Sequence, residues 1–413
     1  PPIKTGYVPT APRFPSSPDR DTLDLGIKSS ETPPLAGQAE NFSSLILPKH
    51  ISSSPALSDI DTYLPTQTLY TMQWNDNFTV TPSFFRDDGG YVFSIAIAQK
   101  PAVETAKVKQ NIYFLIDISS EIESHKVTVF KRSVIKALSS LSAGDSFNIF
   151  LLDKKIIRLS PHNLPFSFNN LRVAEAFLEK SRDKAFFSSF DLLKTLEKTL
   201  DSIEQNDELH TAVLLSNGKL SKSTHHIQKS LCEFLEKNQG KLTLFTAAVG
   251  KNNDLVHLDM LSSLSGGKLF YSETNASLPR KLGSFMKTLH APVAKDVHLS
   301  VRASDPKAEI VLLPRSSQLA HLYHGEPFVV MGKINRLCDL QVNLEGKSED
   351  GWILLTKDVN FSGAEEAPRS LKQEWAVRQV SSLYREFLQD PKSSYLEEAG
   401  EILKMTYGRA LGK

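Results

Sequence analysis

One stretch constrains this chain more than any other: Asn111-Ile-Tyr-Phe-Leu-Ile-Asp-Ile-Ser-Ser-Glu121. An unbroken apolar run, Ile112 to Ile116, stops at an acid, two hydroxyls and a second acid. The run is far shorter than the ~20 residues of a membrane span. It is also apolar on both of its faces, so it does not fit a strand with one wet side. The reading that remains is a central strand of a parallel sheet, covered on both sides. In open sheets of this kind, ligands sit beyond the carboxyl ends of the strands. Asp117, Ser119 and Glu121 fall at such an end.

The pattern around this strand supports the same class. Lys126 to Leu141 carries Val127, Phe130, Val134, Leu138 and Leu141 at helical spacing. Buried strands are expected at Phe147–Leu152, Thr211–Leu215 and Leu242–Val249, with a further strand at Lys268–Tyr271. Helices are expected between them, including one from Phe190 to Ile203 after Ser188-Ser189, and the last of the series spans Ser277–Leu289. Alternation of strand and helix predicts a doubly wound α/β domain with helices on both faces.

On either side the period changes. Tyr70, Met72 and Trp74 alternate with polar residues, and Phe78–Thr81 and Tyr91–Ile97 flank a hairpin signal, Asp87-Asp-Gly-Gly90. From Val297 to Leu355 short apolar stretches again alternate with turns. We expect these two groups of strands to share one antiparallel β-sandwich, since neither holds enough strands to bury two faces alone. Ser370 opens a helix with Ala376, Val380, Leu383 and Phe387; Asp390-Pro391 breaks it, and a second helix carries Leu396, Ala399 and Leu403. The expected domains are therefore a Pro/Ser-rich, disordered or extended leader at 1–48, strands of the β-unit at 49–109, the α/β domain at 110–290, the β-sandwich unit at 291–365 and a helical hairpin at 366–413.

Several function classes are excluded by composition. A formal net charge of +1 and scattered Lys and Arg give no stripe for nucleic acid. No apolar run is long enough for a transmembrane segment. Cys232 and Cys338 are the only cysteines, so there is no disulfide framework and no paired zinc set; two buried free thiols are expected. The sequence starts at Pro1, and a processed or cut product is expected. Gly-x-Ser-x-Gly, a phosphate loop and His-Glu-x-x-His are all absent. His225-His226 opens a helix, where adjacent side chains face apart and make no metal pair. His321 and His324 are read as surface or turn residues. Asn41, Asn77, Asn275 and Asn360 fit the glycan acceptor pattern, which matters only in a eukaryotic secretory context.

Asp117-x-Ser119 at the end of a buried strand resembles the metal loop of a von Willebrand factor A-type domain, whose pattern is Asp-x-Ser-x-Ser; Glu121 replaces the last serine. The order of parts, with Asp88-Gly-Gly-Tyr-Val-Phe93 ahead of the domain and Trp375-Ala-Val-Arg378 and Lys404-Met-Thr-Tyr-Gly408 behind it, resembles the inter-α-trypsin inhibitor heavy-chain type over roughly residues 65 to 408. That family's characteristic N-terminal domain has no counterpart in residues 1–48. The resemblance implies a divalent cation, Mg²⁺ or Ca²⁺, held by oxygen ligands from three loops, with an open position for a partner's acid. Carried over by position, the ligand set is Asp117, Ser119, Glu121, Ser188 or Ser189, and Asn217. Two departures speak against it. Asn217 is neutral where the pattern has a carboxylate, and Phe186-Phe187 stand where it has glycines. The expectation is a degraded metal site with no cofactor, in a non-enzymatic adhesion or scaffold protein with protein partners. Its expected location is extracytoplasmic, secreted or associated with the cell envelope. A regulatory subunit of a larger envelope or channel complex is the first alternative, and a hydrolase without a recognisable motif is the second.

Overall fold

In the computed structural model the described residues are 72–73, 76–87, 89–100, 107–181, 190–204, 206–220, 222–289, 292–313, 320–324, 327–361 and 369–407. The expected leader at 1–48 lies outside them. The chain begins with β1 (Met72–Gln73), β2 (Phe78–Asp87) and β3 (Gly90–Gln99). The α/β part follows with β4 (Gln110–Asp117), α1 (Ser124–Leu138), β5 (Asp145–Leu152), β6 (Ile157–Arg158), β7 (Leu164–Pro165), α2 (Phe168–Lys180) and α3 (Leu192–Leu200). It continues through β8 (Leu209–Leu215), α4 (Thr224–Asn238), β9 (Thr243–Val249), α5 (Leu255–Leu264), β10 (Gly266–Ser272) and α6 (Leu278–Leu289). Next come β11 (Pro292–Ala303), β12 (Ile310–Leu313), β13 (Ala320–Tyr323), β14 (Phe328–Ile334), β15 (Leu340–Ser348) and β16 (Gly351–Val359). Two helices close the described chain, α7 (Arg369–Gln389) and α8 (Ser393–Tyr407).

The α/β sheet runs β10-β9-β8-β4-β5-β6, parallel except for the short β6 and for β7, which also pairs with β5. Every residue of β4, β8 and β9 is buried. Side chains of β4 alternate between two cores, as the period of a strand dictates. Ile112, Phe114 and Ile116 meet Val127, Phe130 and Val134 of α1 and Leu282 and Met286 of α6. Tyr113 and Leu115 meet Leu193 and Leu196 of α3, Leu231 and Phe234 of α4 and Leu258 and Leu261 of α5. Burying a Leu or Phe completely stabilises the fold by roughly 1.5–3 kcal/mol, so these two layers dominate the stability of the domain.

The strands before residue 100 and those after 292 form two further sheets, β1-β16-β15-β11-β13 and β12-β14-β3-β2. In the second, β14 pairs antiparallel with β3 over Phe328–Ile334 and Tyr91–Ile97. Phe78, Phe93 and Ile95 share one apolar cluster with Val342, Leu344 and Leu355 from the other sheet. The α/β part is thus inserted between strands that fold together. Helix α7 spans both bodies: Leu371 and Trp375 pack on Phe85, Val92 and Met331, while Val380, Tyr384 and Phe387 enter the second core of the α/β part. The Tyr384 hydroxyl donates to buried Asp259 of α5 at 3.0 Å. Burial pushes the Asp259 carboxyl up to about 7.

Several local expectations need correction. The short strand β7, not expected from the sequence pattern, pairs with Ser146 and Phe147. His321 belongs to β13 and is not a surface or turn residue; its Nε2 lies 2.9 Å from Thr243 Oγ1 of the α/β part. Burial holds the His321 ring down at about 3. His324 is exposed, with Nδ1 2.8 Å from Gln99 Oε1. Cys232 and Cys338 are free but half-buried, not buried.

Candidate functional site at the carboxyl edge of the sheet

The parallel strands β5, β4, β8 and β9 end side by side, with Asp117 in register with Leu152, Ile116 with Leu215, and Leu215 with Ala247. Four described loop segments therefore line the carboxyl edge: 153–156, 118–123, 216–220 and 250–254. Asp117 is the last residue of β4 and is fully buried at their centre. Its Oδ1 accepts from the backbone N–H of Ser119 at 3.0 Å, which bends the chain off the strand in an Asx turn. Its Oδ2 accepts from Ser216 Oγ at 2.7 Å, which ties the β4 loop to the β8 loop. Burial drives the Asp117 carboxyl up to about 6, against the pull of the Ser216 and Ser119 hydrogen bonds.

Asn217 extends the same tie. Its Nδ2 donates to the backbone carbonyl of Glu121 at 2.9 Å, and its Oδ1 accepts from Lys219 N at 3.0 Å. The Asn217 carbonyl accepts from Asp254 N at 2.7 Å, reaching the loop after β9. Gly218 sits in this knot with φ +70°, and a Cβ there would meet Leu258 Cγ at 2.5 Å and Asp254 O at 2.6 Å. Only glycine serves at this turn. Lys126, in the first turn of α1, is buried; its Nζ bonds Lys251 O, and Asn253 Oδ1 at 3.2 Å. Burial lowers the pKa of this ammonium. Sequence reading missed both Ser216 and Lys126. Ser216 was within reach, because aligning the two apolar runs in parallel puts the residue after Leu215 beside Asp117. Lys126 was not, because its partners come from a loop more than a hundred residues away.

Of the residues carried over for a metal, Asp117, Ser119, Glu121 and Asn217 lie on two loops that hydrogen bonds join. Asp117 and Ser119 are both buried, and each Asp117 oxygen accepts one hydrogen bond from a protein donor. Asn217 has spent its amide on backbone groups. The Glu121 side chain is exposed, and its backbone carbonyl is the part that faces Asn217. Ser119 Oγ is buried beside the Asp117 carboxylate. Ser188 and Ser189, with Phe186 and Phe187, lie outside the described residues. Among the described residues no three His, Cys, Asp or Glu side chains gather where they could hold an ion. A hard divalent cation needs several oxygens at once; Asp117, Ser119 and Asn217 are the buried donors of the described set.

Residues 110–270 match the family model for the von Willebrand factor type A domain. This chain contains a von Willebrand factor type A domain. The A-type domain and its flanks are similar to inter-alpha-trypsin inhibitor heavy chain H3 of Rattus norvegicus, 24% identical over 329 residues, which is 76% of this chain and 35% of the relative. Heavy chain H1 of Homo sapiens is 24% identical over 251 residues, covering 59% of this chain and 27% of its own length. The chain thus spans about a third of the length of the curated relatives it matches. Among solved structures, a von Willebrand factor type A protein from Catenulispora acidiphila superposes with a TM-score of 0.55 at 12% identity, over 83% of this chain and 89% of that one. That likeness concerns fold alone.

Proposed function

We propose that this chain is a non-enzymatic protein-binding module, an adhesion or scaffold element, whose A-type domain engages its partner without a divalent cation. One observation carries the reading: both oxygens of Asp117 and the amide of Asn217 are engaged in hydrogen bonds that hold the edge loops. In this reading Ser216, Asn217 and Lys126 do the work of joining loops that a cation would otherwise do. The edge is then set before a partner arrives, and a preset surface loses less freedom on binding. Within the proposed division, 110–290 is the binding domain, and the β-unit and C-terminal helices are its mount. A location outside the cytoplasm, secreted or at the cell envelope, goes with this reading and is supported by the likeness to inter-alpha-trypsin inhibitor heavy chains. Among the described residues no helix is long and apolar enough to cross a membrane.

The test is retention of a partner with and without chelator. The purified chain, immobilised in EDTA, should hold a stoichiometric protein partner from extracytoplasmic extract, and adding Mg²⁺ should leave the amount unchanged. Retention only with Mg²⁺ would refute the cation-free reading. Turnover of a captured molecule in place of stable retention would favour an enzyme.

A further inference from the structure

We infer that helix α7 is a pH-sensitive clamp on the A-type domain, held while Asp259 of α5 carries a proton and loosened when Asp259 ionises. The device is independent of what the carboxyl edge binds. Helix α7 reaches both bodies, with Trp375 on the β-unit and Val380, Tyr384 and Phe387 in the apolar layer that Leu258 and Leu261 of α5 line. Helix α8 adds Ala399 and Leu403 to the same layer, and it comes so close to α5 that a Cβ on Gly400 would meet Val256 Cγ2 at 3.2 Å. Asp259 meets α7 across this contact and is only 3% exposed. The fully buried Tyr384 donates its hydroxyl to Asp259 Oδ2 at 3.0 Å. A carboxylic acid is stable in such a place beside a neutral donor. A carboxylate there puts a full charge in an apolar layer, and one hydroxyl does not replace the water it has lost.

The charged groups on the surrounding elements are engaged elsewhere or exposed. On α5 itself His257 pairs with Asp254. Strand β9 has no charged residue; on β10, Lys268 lies over the Phe285 ring and Tyr271 donates to Gly250 O. On α7, Arg378 pairs with Glu374, while Arg385 and Glu386 adjoin Tyr384 in sequence and so lie on other sides of the helix. Glu397, Glu398, Glu401 and Lys404 of α8 are exposed. Burial, opposed by the Tyr384 hydrogen bond, raises the Asp259 pKa from 3.8 to about 7. Released from α7, the carboxyl meets water and returns toward 3.8. Docking is therefore strongest below 3.8, weakens by up to about tenfold per pH unit as pH rises, and has lost this contribution above about 7. Glu386 acts in the same sense: burial raises its pKa, and the charge of Glu398 on α8 raises it further.

The test is hydrogen–deuterium exchange of the full chain from pH 5 to 8, set against Asp259→Asn, which is neutral throughout. At each pH the ratio of the unaltered chain's rate to the variant's cancels the chemistry of exchange and the titration of groups that both proteins share, Asp117 and Glu386 included. Over residues 376–389 and α8 that ratio should rise by about tenfold or more between pH 5 and 7, while β4 stays protected in both proteins. A ratio that does not change with pH would overturn the inference. So would β4 opening together with the helices, since the domain would then be unfolding as a whole. Tyr384→Phe covers the case in which Asp259→Asn does not fold. Without that donor the carboxyl keeps its proton to higher pH, so the helices should go on loosening above pH 7, where the unaltered chain has levelled off. Helices that level off at pH 7 in this variant too would rule the clamp out.

Discussion

The two ends of the seven-stranded sheet are built for different ends. At the amino end, some polar groups hold the domain to its mount and others tie its own strands and loops together. The chain enters and leaves there side by side, with Val108 N donating to Pro292 O at 2.9 Å. Gln110 Nε2 reaches Asp145 Oδ1 at 2.9 Å and Leu289 O at 3.0 Å, and Lys107 pairs with the same Asp145 oxygen. Asn163 donates to Asn111 Oδ1 and to the Tyr113 hydroxyl, each at 2.9 Å, and Tyr113 lies 3.0 Å from His210 Nδ1. Lys295 and Lys347 of the β-unit both grip Asp207, and His321 meets Thr243. At the carboxyl edge the buried polar groups tie loops of one domain to each other, and the charged tips stay in solvent. The amino end carries an anchor across two bodies; the carboxyl edge holds loops of one domain to each other.

If that contrast is right, the largest loss should come from the anchor. Asp145 has no exposed side-chain surface and accepts from Lys107, Gln110 and Ser142. Asp145→Ala leaves those donors without their acceptor, and urea unfolding should show a loss of about 3 kcal/mol or more. A loss under about 1 kcal/mol would mean that the anchor is slack.

The two ends should also answer pH with opposite signs. Asp117, at the carboxyl edge, has its pKa raised from 3.8 to about 6 by burial. Between those values the folded chain keeps a proton that the unfolded chain has released, so this contribution is full below 3.8 and declines as pH rises through 6. His321, at the anchor, is lowered from 6.5 to about 3 by burial. The unfolded chain then takes up a proton that the folded ring refuses, and stability is lost as pH falls from 6.5 toward 3. Asp117→Asn should remove the first slope and His321→Gln the second, each read from denaturation midpoints across that range. Matching slopes in the two variants would erase the distinction.

The smallest effects belong to the carboxyl edge. Ser119→Ala removes a buried hydroxyl that lies beside the Asp117 carboxylate without a well-formed hydrogen bond, so the unfolding free energy should fall by no more than about 1 kcal/mol. Lys219→Ala, on an exposed loop, should stay within about 0.5 kcal/mol. A larger fall at Ser119 would give its Oγ a role in holding the edge.

Much of the scaffold was legible because it follows from period. The runs at Ile112–Ile116, Thr211–Leu215 and Leu242–Val249 became buried parallel strands, and Asp117 sits at the strand end as their pattern implies. Elements of two to four residues, such as β7 and β13, escaped because so short a stretch has no period to read. The amino-end network escaped for a different reason. Asn111, Asn163, Tyr113 and His210 come from three separate segments, and hydrogen-bonded burial of polar groups leaves no spacing in sequence. The same holds for Lys126, a lysine on a helix that local reading assigns to solvent. At the carboxyl edge the residue types were legible and their commitments were not. That Asn217 serves the Glu121 carbonyl is a fact of two loops meeting.

The central claim is that the edge loops are joined by side chains and need no ion. Thermal unfolding of the full chain in EDTA, and then in millimolar Mg²⁺, tests it most directly. Bound ion stabilises by mass action, ~2.7 kcal/mol at a hundred times its dissociation constant. The account expects no shift in the midpoint, and Asn217→Asp is the variant in which one could emerge. A rise of about 2–4 °C or more with Mg²⁺ in the unaltered chain, abolished by Glu121→Ala, would contradict it.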